Sequence, residues 1–159
     1  MSPVKAALRR AFHPQIKAVL DRRMTQGAEQ HLTSSIDGHE FVTPASEALG
    51  TAVALDVLLL TPPTQRIGDA DNRLKTLIDG LTRPANVEQM QNFESPDEGG
   101  PTYCLLSDDR LVQRVTLDSR QWHGGPGDPT TTLVVVTARI VLSAEVTRDS
   151  PMASLFLVL

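Results

Sequence analysis

Cysteine and aromatic residues are scarce in this 159-residue chain, which has one Cys, one Trp, one Tyr and four Phe. The single cysteine, Cys104, excludes an internal disulfide and a zinc site built from thiolates, so any metal must take oxygen or histidine ligands. No uninterrupted apolar run reaches the roughly 18 residues of a membrane-spanning helix. The basic start also lacks the apolar block and small-residue cleavage site of a secretory signal. These absences predict a cytoplasmic protein with no membrane segment. Basic residues are in the minority, 15 against 19 acidic, for a net charge of −4. That sign alone argues against a nucleic-acid binder, because phosphates call for Lys and Arg.

The charge is unevenly spread. Residues 1–23 hold six basic residues against one acidic, a balance of +5, while the remainder holds nine against eighteen, −9. A basic segment over about residues 1–25 reads either as a solvated helix face or as an arm that touches nucleic acid. With 40% apolar residues the chain can bury one ordinary core, so a single domain over 1–159 is expected.

Val4, Ala7, Leu8, Ala11 and Phe12 fall at helical spacing, and Ile16, Val19, Leu20 and Met24 repeat it after Pro14. This predicts two short helices broken near His13-Pro14. Gln26 to Gly38 reads as loop, and "GHEFVTP" as a short strand ending at Pro44. "TAVALDVLLLTPP", rich in β-branched and apolar residues and stopped by two prolines, reads as a buried strand. In the helix that follows, Leu74, Leu77, Ile78 and Leu81 form an i, i+3, i+4, i+7 core face, while Asp71, Lys75 and Asp79 form a separate polar stripe. Residues 83–101 form a polar insertion of the length that is usually functional or mobile. "RLVQRVTLDSRQW" and "TTLVVVTARIVLSAEV" read as strands joined through "HGGPGDP", with a hairpin expected. The apolar "LFLVL" reads as an edge element or a partner contact. Helices, strands, a helix and two more strands give an α+β class, a small mixed or antiparallel sheet packed with helices.

The polar stripe admits a structural reading. Asp69 or Asp71 can cap the helix, and Asp71, Lys75 and Asp79 can form i, i+4 ion pairs, Asp79 serving as the partner of Lys75. A second acidic pair in "LLSDDRLVQ", Asp108 and Asp109, shifts the balance. A chain returning to the sheet there can bring it beside the first pair, and convergent carboxylates suit a hard cation such as Mg²⁺ or Mn²⁺. A calcium loop is excluded, because Arg73 and Leu74 stand at the fifth and sixth positions from Asp69. Arg66, Arg73, Arg110 and Arg114 neighbour these acids in sequence and are candidate phosphate contacts. His123, alone in a Gly-rich turn, reads as solvent-facing.

"GDADNRLKTLIDGLT" followed by "LLSDDRLV" resembles the active-site signature of the RusA-type Holliday junction resolvases. That signature has a strand, D-x-D-N, a lysine four residues after the second aspartate, and an acidic pair before another strand. The likeness covers roughly residues 53–120. It implies a RusA-like domain and a homodimeric, metal-dependent endonuclease acting on branched DNA in recombination and repair. By position, Asp69, Asp71 and Asp109 resemble the metal-binding carboxylates, with Asp108 as neighbour of the last, and Lys75 resembles the catalytic lysine. Asn72 then contacts phosphate or fixes a carboxylate. Two alternatives stay open: a metal-dependent nuclease of flap or RNA substrates, and a non-catalytic interaction module of the same fold.

Overall fold

Eleven residues from Thr51 to Thr61 form strand β3, and all but three of them are buried. A strand so apolar needs a neighbour on each edge and cover on a face. The structure, a computed structural model, describes residues 3–24, 29–63, 70–91, 93–97, 99–122 and 131–142. Within it β3 is central: β5 (Val112–Gln121) lies parallel on one side and β6 (Leu133–Leu142) antiparallel on the other. The expected β5–β6 hairpin therefore does not form. Both strands expose residues along their length and suit edges, whereas β3 suits only the middle. The joining "HGGPGDP", His123 and the terminal "LFLVL" lie outside the described residues.

Helix α3 (Ala70–Leu81) follows β3 and is the crossover that the parallel β3–β5 pair requires. Its Leu77 and Leu81 are buried against Val53, Leu55, Val57 and Leu59, with Leu74 and Ile78 packed alongside, as the periodicity predicts. Helix α1 (Pro3–Arg23) lies on α3, adding Leu8, Phe12 and Ile16 to the same core. Gly80 permits this approach, since a β-carbon there would stand 2.7 Å from the Leu8 β-carbon.

Contrary to the expected break, α1 runs through Pro14. Proline removes one backbone bond and strains one turn, but tertiary bonds from the residues before it, and Ile16 packed in the core after it, hold the helix in line. Arg9 donates to the Thr82 carbonyl at 2.7 Å. Buried His13 accepts the Tyr103 amide N–H on Nδ1 at 3.0 Å.

A second small sheet is also mixed. Its order is β1 (Thr33–Ile36), β2 (His39–Val42) and β4 (Thr102–Tyr103), with β1–β2 antiparallel and β2–β4 parallel. A short helix, α2 (Glu29–Leu32), precedes it, and the Tyr103 hydroxyl donates to Glu29. Part of the segment expected as loop is thus α2 and a strand of a hairpin. Asp37 and Gly38 both take positive φ, 52° and 76°, the geometry of a two-residue primed turn. The 83–101 insertion contains α4 (Val87–Met90), capped by the Asn86 side chain on the Gln89 N–H. Phe93 docks it on His39 and Phe41, with ring centroids 5.0 and 5.3 Å apart. The architecture is α+β, and among the described residues no helix is long and apolar enough to cross a membrane.

His13 makes stability depend on pH. Burial lowers its pKa from the ordinary value near 6.5, with Asp97 opposing; burial also lowers that of His39. A depressed histidine contributes stability fully present above its unfolded pKa and lost as pH falls through the folded one. Melting temperature should therefore decline below pH 6.5. In His13→Asn, an amide oxygen can accept the Tyr103 N–H without titrating, so the decline should be shallower. Parallel wild-type and variant profiles between pH 7.5 and 5 would show that His13 is not the titrating group.

Candidate active site

On α3 the polar residues emerge where the helical period sends them. Asp71, Asn72 and Lys75 are exposed on the side away from Leu77 and Leu81, whereas Arg73, one turn before Leu77 on its face, is half-buried. Asp69 and Arg66 lie outside the described residues. Lys75 forms no ion pair among the described residues. Asp79, its expected partner, is instead held by Lys5 of α1 at 2.6 Å. Packing against α1 brings the Lys5 ammonium to the stripe, which helical spacing alone does not reveal.

The second acidic pair sits at the far end of the same helix. Leu105 and Leu106 donate their amides to the Leu81 carbonyl, and Arg83 returns its N–H to Leu106, so the chain entering Ser107 to Asp109 is pinned at the α3 C-terminus. Asp71 lies ten residues back, about 15 Å at 1.5 Å per residue. Among the described residues, Asp71 and the Asp108–Asp109 pair thus do not converge within one chain. Because β5 runs parallel to β3, its leading turn belongs to the end of the sheet where β3 begins, while α3 starts after the end where β3 finishes.

Asp108 and Asp109 differ in their surroundings. Asp108 caps a 3-10 turn over Asp109–Leu111, accepting the Arg110 N–H at 2.9 Å. The Arg110 guanidinium folds back in a fork, Nε to Oδ1 and Nη2 to Oδ2, each 2.9 Å. That fork, with the amide behind it, holds the Asp108 carboxyl down to about 2. Both oxygens are occupied, so Asp108 serves as a cap, while Asp109 beside it is exposed. Arg110 is matched by Asp108 and reaches Glu47 at 3.4 Å, and Arg114 lies 3.9 Å from Asp56. Arg110 is thus matched, whereas Arg114 shares Asp56 with Arg139, which holds that carboxylate at 3.0 Å.

Between α1, the α3 C-terminus, residues 83–89 and Ser107–Asp109 opens a cleft of about 450 Å³. Its inner wall carries Arg9, only 5% exposed, and half-buried Arg83; Glu88 and Asp109 are exposed at their positions. Arg9 bonds to the Thr82 carbonyl, lies 3.5 Å from that of Asp79 and stacks over Phe93. Beside these guanidinium groups, burial pushes the Cys104 thiol up to about 11, so it stays protonated and unreactive at neutral pH. Sequence pattern alone puts Lys5 and Arg9 on a solvated face and Arg83 at the start of an insertion. One available signal is that α3 has no basic residue in its last turn, so a cation for that terminus has to come from elsewhere.

Among the described residues no three His, Cys, Asp or Glu side chains are grouped to hold a metal ion. The donor set of Asp71 and Asp109 is all oxygen, which suits Mg²⁺ or Mn²⁺ chemically, but the two lie at opposite ends of one helix. Comparisons with protein-family models, with curated proteins and with solved structures return no match.

Proposed function

We propose that this protein is a Mg²⁺-dependent endonuclease of the RusA-like kind, acting in the cytoplasm on phosphodiesters of branched DNA, in recombination and repair. The reading rests on one observation: α3 presents Asp71, Asn72 and Lys75 together on an exposed face that contributes nothing to the core. The order β3, α3, acidic pair, β5 supports it. Because Asp71 and Asp109 stand apart within one chain, the reading requires a homodimer in which each site takes Asp71 from one copy and Asp109 from the other. Asp69 adjoins Asp71 in sequence and completes the set, with Mn²⁺ able to replace Mg²⁺.

Bound Mg²⁺ supplies Lewis-acid polarisation of the phosphate and a water of lowered pKa. Lys75 places a positive charge where the phosphoryl oxygens gain negative charge. Asn72 offers an amide donor to a phosphate oxygen and Arg73 a guanidinium to the neighbouring backbone.

The test offers the protein, with Mg²⁺, labelled four-way junction, flap, duplex, RNA and single-stranded substrates. Paired symmetric nicks on the junction are expected. Asp71→Asn and Asp109→Asn should each abolish cutting, and mixing the two proteins should restore part of it, because half the sites of a mixed dimer are intact. Failure to complement would overturn the shared site, and a scattering mass near 17 kDa, that of one chain, would overturn the dimer. Cleavage confined to flaps or RNA would change the substrate. Absence of all cleavage would replace the enzyme with an interaction module.

A further inference from the structure

We infer that the cleft at the C-terminal end of α3 binds a nucleotide, with Arg83 holding its phosphate. The inference deepens the nuclease reading by naming the residue that takes substrate phosphate, and rests on that reading only for where the phosphate comes from.

Arg83 is fixed at its backbone by its N–H to the Leu106 carbonyl, 3.0 Å. Among the described residues its side chain makes one hydrogen bond, from Nη1 to the Pro84 carbonyl at 3.2 Å, and its buried Nε has no partner. No carboxylate among the described residues pairs with it. A half-buried guanidinium with no counter-ion is costly to keep, and a ligand anion removes that cost. Nε is buried and Nη1 bonds to Pro84, so Nη2, without a partner among the described residues, is the donor left to meet a phosphate oxygen, a charge-assisted bond.

The other charges in the cleft narrow the ligand further. Lys5 neutralises Asp79 at 2.6 Å and Arg110 neutralises Asp108, so Glu88 and Asp109 are left as acceptors at exposed positions. A small free anion would meet their repulsion with nothing to offer them. A nucleotide offers both parts: a phosphate for Arg83, and sugar hydroxyl or base amino donors for the two carboxylates. A volume of about 450 Å³ is sufficient for one such unit.

The experiment is run in EDTA, so that metal binding and cleavage do not enter. AMP, adenosine, inorganic phosphate and a short single-stranded deoxynucleotide are titrated against the full chain by calorimetry. AMP or the deoxynucleotide should bind and adenosine should not. Arg83→Met, similar in length and uncharged, should weaken binding at least tenfold with an unchanged or raised melting temperature, and Arg83→Lys should recover only part. Binding of AMP alone identifies a free nucleotide as the ligand; binding of the deoxynucleotide alone identifies nucleic acid. Equal affinity of wild type and Arg83→Met, equal binding of adenosine and AMP, or no binding of either probe at millimolar concentration would overturn the inference. Arg83-dependent binding without cleavage under any metal condition would leave it standing and remove the nuclease reading alone.

Discussion

Arg9→Ala should lose about 3 kcal/mol of stability, a charge-assisted bond to a backbone carbonyl and a cation–π contact together. For a chain of this size that lowers the melting temperature by about 10 °C. The effect is large because α3 ends without a cation of its own, and the Arg9 guanidinium, 5% exposed, is what meets its carbonyls. Its face also lies over the Phe93 ring, 5.6 Å from the centroid, which ties the 83–101 segment to α1. A lysine at this position is a point charge and cannot make both contacts, so Arg9→Lys should rescue little. The neighbouring Arg10 is the control. It pairs with Glu94 at 2.8 Å, but both side chains are more than half exposed, and Arg10→Ala should change stability by less than about 0.5 kcal/mol. Equal urea midpoints for the Arg9 and Arg10 variants would refute the anchoring role. Charge reversal at Arg9 would disturb the fold before it tested any nucleic-acid arm; Arg22 and Arg23, both exposed, are the fitting targets for that question.

Lys75→Ala should reduce single-turnover cleavage of a four-way junction by about 10²–10³-fold, the usual loss when one preorganised positive donor is removed from a transition state. Melting should stay level or rise slightly. Lys75 is exposed, makes no ion pair among the described residues, and gives way to the best helix former. Junction affinity should fall far less than rate, since one lysine is a small part of the phosphate contacts. Undiminished cleavage by Lys75→Ala would remove the lysine from the mechanism. A large fall in melting temperature would instead assign it a structural role.

The elements governed by local pattern are legible in the amino-acid order itself. The limits of β3 and α3, and the division of α3 between core and polar faces, follow from periodicity and from prolines at the strand end. What stays hidden depends on contacts between distant residues. The β5 and β6 patterns suit a hairpin as well as two edges, and only the demand of β3 for two neighbours separates the cases. Pro14 predicts a break because the local cost is visible and the Arg9 and His13 anchors are not. The β1–β2 turn is readable from Asp37-Gly38, a strong short-range hairpin signal that the polar surroundings mask. For the site, residue types and spacing along α3 are evident, but the distance from Asp71 to Asp109 depends on strand direction. The cleft combines α1, α3 and two loops, so no single stretch of sequence contains it.

The central place of β3 sets an order on the birth of the protein. Thr51 pairs with Leu142 and Val53 with Val112, so the strand with the most buried surface leaves the ribosome well before either partner exists. At about 5–20 residues per second, the wait for β6 is on the order of ten seconds. During that interval an apolar strand with unpaired edges is open to the same strand on neighbouring nascent chains. Products truncated before Leu133 keep one edge open permanently. Expression that is soluble for the full chain and insoluble for such fragments is the cellular consequence of placing the oldest strand of the sheet between its two youngest.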